Sequence, residues 1–189
     1  MSKLSAAAII GGNNTNRKRQ INDFYPTPPE VTNSLLNHID ISNENIWEPC
    51  AGDGAMVDVI KKYTSKNIYA SDLSPQRNDI HTFDFLSGIP SQIDTSYMII
   101  TNPPFKISAQ IIEKSFEHGF TKLALLLKST YYHASSRTEL FEKYRPTKIL
   151  PLNWRPDFLG LGSPTMEVSW FYWDKPCSNT TCYDILSKK

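Results

Sequence analysis

Apolar residues recur along the chain in two alternating patterns, short continuous runs and sets at helical spacing. Continuous runs of this length are typical of strands buried on both faces. They lie at 46–47, 68–70, 80–83, 97–101, 123–127, 148–152 and 167–173, of which 80–83 is the weakest. Helical spacing predicts helices over 28–39, 55–62, 108–118 and 137–144. Strands separated by helices in this way predict a mostly parallel α/β sheet covered on both faces.

The first helix and the last strand carry additional signals. Thr27, two prolines and Glu30 form the pattern of a capping box with prolines in the first turn. The last run follows the turn-forming stretch 160–164 and places Trp170 and Tyr172 on one face, with aromatic residues on the other face as well. With no room for a crossover helix before it, this seventh strand is expected to be antiparallel.

Length and composition favour one folded domain. The chain has 189 residues, of which 40% are hydrophobic and 21% charged, as in ordinary globular proteins. The stretch 11–16, Gly-Gly-Asn-Asn-Thr-Asn, buries no apolar surface. We therefore predict a flexible basic N-terminal arm at 1–22, a catalytic domain at 23–176 and a C-terminal tail at 177–189.

Targeting and metal-binding signals are missing from the sequence. No apolar stretch approaches the ~20 residues that span a bilayer. The apolar run 4–10 precedes the basic cluster 17–19, the reverse of a secretory signal. The three cysteines and four histidines lack zinc-ligand spacing. We expect a cytoplasmic protein without membrane association, disulfide or metal, in which Cys50 is a small buried thiol rather than a nucleophile.

Charge is distributed unevenly although the net charge is only +1. Residues 1–22 hold four basic side chains and no acidic one, whereas 23–100 hold 11 acidic and 4 basic ones. Residues 128–157 hold 6 basic and 3 acidic ones. A polyanion would meet the arm and this later segment, although such charge runs also occur on faces that are merely solvated.

A glycine-rich loop follows the first strand. It comprises 48–54, Glu-Pro-Cys-Ala-Gly-Asp-Gly, where a helix begins. Glycines allow a sharp turn and a close backbone approach to a ligand at the carboxyl edge of a parallel sheet, although a simple strand-to-helix turn has the same pattern. Asp72 lies 20 residues beyond Gly52, at the end of the next strand, where a carboxylate can accept hydrogen bonds from both ribose hydroxyls of a nucleoside-containing cofactor. Asp72 could otherwise be a surface or capping residue.

Two further motifs follow the third and fourth strands. Asp84 and Phe85 could accept from an adenine amino group and pack on its face, although such a pair is common in loops. After the fourth strand comes Thr101, and then Asn102, Pro103, Pro104 and Phe105. The prolines fix the backbone, so the Asn102 amide and a main-chain carbonyl can accept hydrogens from one amino group and localise its lone pair, while Phe105 stacks on the attached ring.

These motifs resemble those of the class I S-adenosylmethionine-dependent methyltransferases, and specifically the N6-adenine DNA methyltransferases, whose Asn-Pro-Pro-aromatic motif matches 102–105. The Thr-Pro-Pro-Glu type element at 25–30 precedes the cofactor loop, as in one subgroup of this family. The resemblance covers roughly residues 24–173, and short phage-encoded proteins of this kind are the most similar members. The resemblance implies a Rossmann-like methyltransferase fold, a seven-stranded sheet with an antiparallel last strand and helices on both faces. It also implies the cofactor S-adenosylmethionine, with S-adenosylhomocysteine as product.

The resemblance further implies where the cofactor and the reacting group would bind. Catalysis would involve Asn102, Pro103, Pro104 and Phe105. The cofactor would contact Asn102. It would also contact residues in the loops that come earlier in the sequence: Tyr25, Pro26, Thr27, Glu48, Cys50, Ala51, Gly52, Gly54, Asp72, Leu73, Asp84 and Phe85. No separate target-recognition domain follows the last strand, so a partner subunit could supply recognition.

DNA is the expected partner of a basic surface around this site. The residues expected to contact it are Arg17, Lys18, Arg19, Lys128, Arg137, Trp154, Arg155 and Phe158. Trp154 and Phe158 could instead belong to the core, and the arginines could be solvated. Three other activities fit the same motifs: methylation of RNA adenine, methylation of the amide of a protein glutamine, and cofactor binding by a non-catalytic subunit.

Overall fold

The computed structural model describes residues 25–162, 164–174 and 180–188. Its α-helices in these ranges are α1 (Pro29–Leu36), α2 (Ala55–Ile60), α3 (Ser108–Glu117) and α4 (Thr138–Lys143). Its strands are β1 (Ile46–Glu48), β2 (Ile68–Asp72), β3 (His81–Thr82), β4 (Met98–Thr101), β5 (Lys122–Lys128), β6 (Lys148–Pro151), β7 (Val168–Asp174) and β8 (Cys182–Tyr183). Among the described residues, none of the helices is long and apolar enough to span a bilayer.

All eight strands form one sheet in the order β3-β2-β1-β4-β5-β7-β6-β8. Strands β1 to β5 run parallel to one another, whereas β7 is antiparallel to both β5 and β6. The predicted α/β fold with an antiparallel strand at 167–173 is confirmed. The eighth strand, which the sequence prediction lacked, is parallel to β6 and lies within the segment assigned to the tail.

Aromatic and aliphatic side chains from the central strands fill two cores, one on each face of the sheet. Trp170 and the apolar faces of α1 and α2 belong to the first core, and Phe171, Trp173 and the apolar face of α3 to the second. The alternation predicted for β7 is therefore observed. The buried Trp170 indole donates from Nε1 to the carbonyl oxygen of Val31 at 3.1 Å, which fixes α1 on the sheet.

The start of α1 differs from the capping box expected there. The helix begins at Pro29 with Pro28 as its N-cap, and no side chain caps it. The hydroxyl of Thr27 instead accepts a hydrogen bond from the Asn102 side chain, and Glu30 lies 3.1 Å from the ammonium of Lys188. Thr27 is therefore a contact to the end of β4 rather than a helix cap.

The segment after β8 packs along the outer edge of the sheet. The Leu186 side chain is 4% exposed and belongs to the first core, whereas Ile185 beside it is 52% exposed. The Asn153 amide donates to the Leu186 carbonyl at 2.9 Å, and the Leu186 amide donates to the Pro151 carbonyl at 2.9 Å. This segment is thereby part of the folded unit.

Candidate functional site

The carboxyl ends of β1, β2, β4 and β5 meet at one edge of the sheet because these strands are parallel and adjacent. Glu48 ends β1, Asp72 ends β2, Thr101 ends β4 and Lys128 ends β5. Ligands of open α/β sheets bind in the crevice at this edge. The three motifs expected to carry chemistry after β1, β2 and β4 therefore converge on one place.

The loop between β1 and α2 is held in a conformation that requires its glycines. Gly52 has φ +52° and Gly54 has φ +82°, both in the left-handed region. The Gly54 amide donates to the Ala51 carbonyl at 2.7 Å, and Asp53 caps the Ala55 amide at 3.0 Å. We call residues 48–54 the glycine loop. Its backbone makes the close turn that a bound ligand would need.

Asp72 is joined directly to the glycine loop. One carboxylate oxygen accepts from the Gly52 amide at 2.9 Å, and the other accepts from the Ser74 amide at 2.7 Å. Each oxygen retains a second lone pair. The side chain is half-buried, so those lone pairs can still accept from hydroxyl groups. Asp72 and Gly52, which are 20 residues apart in the sequence, are thus in direct contact in the structure.

Glu48 is the most deeply buried acidic group at this edge, with 0% exposure. Its Oε1 accepts from the Thr101 hydroxyl and from the Cys50 amide, the latter at 3.1 Å. Its Oε2 has no partner among the described residues. Burial raises the pKa of Glu48 to about 8, although the bonds from Thr101 and Cys50 act in the opposite direction. A cation placed beside Oε2 would both satisfy that atom and favour the ionised form.

Cys50 has the environment of an unreactive thiol. Burial raises its pKa, and the nearby Glu48 carboxyl acts in the same direction. A thiol is a nucleophile only as the thiolate, which this environment disfavours. The structure thus supports an unreactive thiol, although Cys50 is half-buried rather than fully buried.

Asn102 lies immediately beyond β4 and contacts a residue that precedes α1. Its Nδ2 donates to the Thr27 hydroxyl at 3.0 Å. Thr27 is buried, and Asn102 is half-buried. With the NH₂ group engaged by Thr27, Oδ1 is the amide atom oriented to accept from another donor. The chain thereby sets the amide as an acceptor at the end of β4.

Phe105 and its surroundings complete this side of the edge. Lys128 Nζ lies 4.9 Å from the Phe105 ring centroid, in a cation–π arrangement. The Ser108 hydroxyl and the Ile107 amide both donate to the Pro104 carbonyl, at 3.1 Å each, and so fix the turn from β4 into α3. Phe105 is half-buried, which leaves part of its ring accessible.

Three residues expected near the nucleoside part of a cofactor, Leu73 at the ribose and Asp84 and Phe85 at the adenine, occupy different environments. Leu73 is 67% exposed beside Asp72, so its apolar surface is available. Asp84 uses one carboxylate oxygen to cap the Leu86 amide at 2.9 Å. Phe85 is 4% exposed and packs on Trp47 with ring centroids 5.0 Å apart. Phe85 is thus placed as a core residue, while Asp84 stays exposed beside it.

The residues expected to contact a polynucleotide are placed unevenly. Lys128 lies against Phe105, at the site. Arg137 packs over the Tyr131 ring at 3.9 Å and donates to the Tyr131 carbonyl at 2.6 Å. The Arg155 guanidinium pairs with the Glu167 carboxylate. The cluster 17–19 lies outside the described residues.

Trp154 and Phe158 pack against the first core, the structural alternative considered for both. The Trp154 indole Nε1 is buried without a hydrogen-bond partner among the described residues. Both side chains are half-buried, so each packs on the core and keeps part of its surface exposed.

Two contributors to the site carry no clear signal in the sequence. Thr101 was expected only to precede the Asn-Pro-Pro-Phe motif, yet its hydroxyl holds the Glu48 carboxyl. Arg77 packs against Gly54 although the two residues are far apart in sequence. Strand periodicity indicates neither contact, because both depend on the register of neighbouring strands and loops.

Comparison with known proteins supports the assignment of the fold. No protein-family model matches the chain. A curated relative, ribosomal RNA small subunit methyltransferase A of Borrelia garinii subsp. bavariensis, is 28% identical over 115 residues, which cover 54% of this chain and 41% of the relative. The chain thus matches about two fifths of that relative's length.

Solved structures similar to this one share its fold at low sequence identity. A modification subunit from Vibrio vulnificus, described as part of a type I restriction enzyme, superposes with TM-score 0.62 at 13% identity, covering 85% of this chain and 47% of its own. A protein from Listeria monocytogenes, described as a class I S-adenosylmethionine-dependent methyltransferase, superposes with TM-score 0.59 at 13% identity, covering 95% and 70%.

The strand order, the antiparallel β7 and these similarities together define a class I S-adenosylmethionine-dependent methyltransferase fold. Structural similarity at such low sequence identity establishes the fold alone, and the reaction has to be argued from the site.

Proposed function

We propose that this protein transfers the methyl group of S-adenosylmethionine to an exocyclic amino group, namely N6 of adenine in nucleic acid, with DNA as the first substrate. The observation that carries the proposal is the Asn102 amide at the end of β4, whose Nδ2 is bound by Thr27 so that Oδ1 is left to accept. An amino nitrogen on a base is a poor nucleophile because its lone pair is delocalised. An acceptor for one of its hydrogens favours the form in which that pair can attack.

The residues at the sheet edge fit the proposed cofactor. Glu48 Oε2 is buried without a partner among the described residues, and the α-ammonium of S-adenosylmethionine would satisfy it. Asp72 can accept from the ribose hydroxyls, and the left-handed glycines let the backbone approach the methionine part closely. Exposed Leu73 can cover one face of the adenine. The cofactor would supply the electrophilic methyl group, and the chain would position it.

Positioning and electrostatics are the chain's contributions to transfer, because no general base is needed before the attack. The N–C bond would form as the S–C bond of the cofactor breaks, S-adenosylhomocysteine would leave, and the methylated nitrogen would then release one proton to solvent. Asn102 Oδ1 and the Pro103 carbonyl would accept the two hydrogens of the amino group, with the prolines holding both acceptors in place. Phe105 would stack on the base that carries this nitrogen. Lys128, on the Phe105 ring, would lie close to the flanking phosphate.

RNA is the second candidate, because the curated relative is named for ribosomal RNA. The acceptor geometry at Asn102 serves an adenine amino group equally in either polynucleotide. Selection between DNA and RNA would depend on contacts to the sugar and backbone.

The reaction is tested by supplying purified protein with methyl-labelled S-adenosylmethionine and separate pools of duplex DNA, single-stranded DNA, RNA and protein. We expect label in DNA, recovered after digestion as N6-methyldeoxyadenosine. Label only in RNA would support the second candidate, and label only in protein would support glutamine methylation. Cofactor binding without label in any pool would indicate a non-catalytic subunit. Asn102→Ala is the matched negative control, which should bind the cofactor and transfer no label.

A further inference from the structure

Arg77, in the loop between β2 and β3, lies directly against the glycine loop. A Cβ atom built on Gly54 would be 2.5 Å from both Cζ and Nη1 of the Arg77 guanidinium. Contacts that short do not occur, so the guanidinium occupies the space that any side chain at position 54 would need. Gly54 is also the N-cap residue of α2, with φ +82°. Arg77 therefore packs on the point where the glycine loop becomes a helix.

Carboxylates on two different elements hold the Arg77 guanidinium in this position. Its Nη1 donates to Asp58 of α2 at 2.7 Å, while its Nε and Nη2 donate to the two oxygens of Asp79 at 2.8 Å each. This fork-to-fork pairing is the rigid geometry that arginine makes and lysine does not. Hydrogen bonding to Arg77 lowers the pKa of Asp79 to about 2, so the pair stays charged at ordinary pH.

The same loop is joined to the glycine loop at a second point. The Gln76 amide donates to the Gly52 carbonyl at 2.9 Å, while the Gly52 amide donates to Asp72. Both backbone groups of Gly52 are thus engaged by the end of β2 and the loop that follows it, and Gly54 is packed by Arg77. These contacts join the glycine loop to the loop that follows β2, and the proposed cofactor would bind between these two loops.

We propose that Arg77 is a positioning residue that holds the glycine loop in its cofactor-binding conformation. This inference rests on the proposed function, since the same loop is the proposed cofactor site. A loop with two left-handed glycines has many other accessible conformations, because glycine restricts its backbone least. Without Arg77 the conformation that binds the cofactor would be one of several. The apparent affinity for the cofactor would then fall in proportion to the population of that conformation.

Replacing Arg77 is expected to weaken cofactor binding rather than to destabilise the fold. Asp58 and Asp79 are more than half exposed, and ion pairs of such exposure contribute little to the stability of a domain. The Arg77 guanidinium contacts Gly54 and these two carboxylates, none of which is proposed to hold the reacting nitrogen. Arg77 therefore has no role in transfer once the cofactor is bound.

The test compares Arg77→Met and Arg77→Lys with wild type and with Lys114→Met. Lys114 forms an exposed ion pair with Glu117 on α3 and is the matched control for removal of a surface cation. Calorimetric titration with S-adenosylhomocysteine gives the affinity, and the preferred acceptor pool gives kcat and the KM for S-adenosylmethionine. Hydrogen exchange of the amides of 51–55 in the ligand-free protein reports the loop directly.

We expect Arg77→Met to weaken S-adenosylhomocysteine binding about tenfold, to raise KM similarly and to leave kcat within about twofold, as for a tenfold drop in the competent population. Arg77→Lys should recover part of the affinity, and Lys114→Met should match wild type. Amides 51–55 should exchange faster in Arg77→Met only. Asp79→Asn, which preserves shape, should weaken binding in the same direction and serves where Arg77→Met folds poorly.

Unchanged affinity and unchanged exchange in Arg77→Met and Asp79→Asn would overturn the role of Arg77. A fall in kcat at saturating cofactor with no change in KM would overturn it as well. If wild type itself failed to bind S-adenosylhomocysteine, the proposed function would fail. Faster exchange of amides 51–55 in Arg77→Met would then still show that Arg77 holds the loop, whatever ligand the loop binds.

Discussion

The Asn102 amide is oriented by a hydroxyl that lies 75 residues earlier in the chain. A free asparagine side chain can present either its oxygen or its NH₂ group to a ligand, and only the oxygen can accept from an amino group. In this structure the Thr27 hydroxyl accepts from the NH₂ group, which leaves Oδ1 to accept from a ligand. The two residues therefore act as a unit, and each is open to a separate test.

Asn102→Ala is expected to reduce kcat about 100-fold or more, the cost of removing one preorganised acceptor or donor at a reacting group. Binding of S-adenosylhomocysteine should stay within a few-fold of wild type. Thr27→Val, which keeps the shape and removes the hydroxyl, should lower kcat by a smaller factor because the amide is then free to turn. Single-turnover assays beside calorimetry measure both, and near-normal turnover of Asn102→Ala would refute its assignment as the acceptor.

Glu48 gives a pH dependence whose sign follows from its raised pKa. The carboxyl titrates at about 8 in the folded chain and near 4.5 when unfolded, so between these values the folded state holds a proton that the unfolded state has released. The contribution of Glu48 to stability is therefore present in full below pH 4.5. It is lost as the pH rises towards 8, with a slope of about 1.4 kcal/mol per pH unit.

Glu48→Gln keeps the shape, stays neutral at every pH and should lack this component. Denaturant unfolding of both proteins from pH 4 to 9 should show that the advantage of the variant grows between pH 4.5 and 8 and then levels off. A difference between the two proteins that is independent of pH would contradict the raised pKa. The comparison cancels the titration of other groups, which are common to both proteins.

At the scale of elements, periodicity predicted the sheet well because β1, β4, β5 and β7 are apolar on both faces, as only central strands can be. β8 was not predicted, since its two residues are exposed and carry no pattern. Phe85 was expected at the site because it follows Asp84, yet Trp47 and the second core take up its ring. Local sequence does not show which of two apolar environments a side chain joins.

The capping box predicted at the start of α1 is wrong. Thr27 fits a helix cap by its spacing from Glu30, but a hydroxyl has few bonds to make and the Asn102 amide competes for it. Which partner wins depends on tertiary packing between α1 and β4. The sequence could therefore predict each motif of the site, while the contacts that couple Glu48 to Thr101 and Arg77 to Gly54 had to be found in the structure.

The segment after β8 is expected to stabilise the fold through Leu186. Leu186→Ala should lower the free energy of unfolding by about 2 to 5 kcal/mol, the range for truncating a buried leucine. Ile185→Ala is the matched control, because its side chain is about half exposed and should cost far less. Denaturant unfolding measures both. Equal effects of the two substitutions would show that Leu186 is not packed as described.

At the scale of the whole molecule, several side chains expected to contact a polynucleotide already have partners within the protein. Lys128 lies at the site, whereas the Arg155 charge is already shared with Glu167, so a phosphate would have to displace that carboxylate. Trp154 and Phe158 pack against the first core. Affinity for nucleic acid would therefore depend on Lys128 and on the predicted basic arm at 1–22.

Salt dependence measures how many phosphates the protein neutralises. Lys128→Met should lower the slope of log affinity against log salt by about 0.9 on duplex DNA, or about 0.7 on a single strand, because one phosphate would no longer be neutralised. Deleting 1–20 should lower it further if the three basic residues at 17–19 bind phosphates, and Arg155→Met should change it least. None of these variants should alter S-adenosylhomocysteine binding. Affinity that is independent of salt in wild type would favour the protein-glutamine alternative.

The hydrogen bond from Trp170 to the Val31 carbonyl connects residues 139 positions apart and has a consequence for the order in which the chain folds. Helix α1 has its apolar face and one carbonyl completed by β7, a strand synthesised long after the helix. Contacts of such sequence separation form late, because the loop-closure entropy must be overcome first. We expect a nascent chain lacking β7 to leave the Val31 carbonyl without its indole donor, while α1 still packs on α2 and the earlier strands. The position of α1, and with it the contact from Thr27 to Asn102, would then be fixed fully only when β7 joins the sheet.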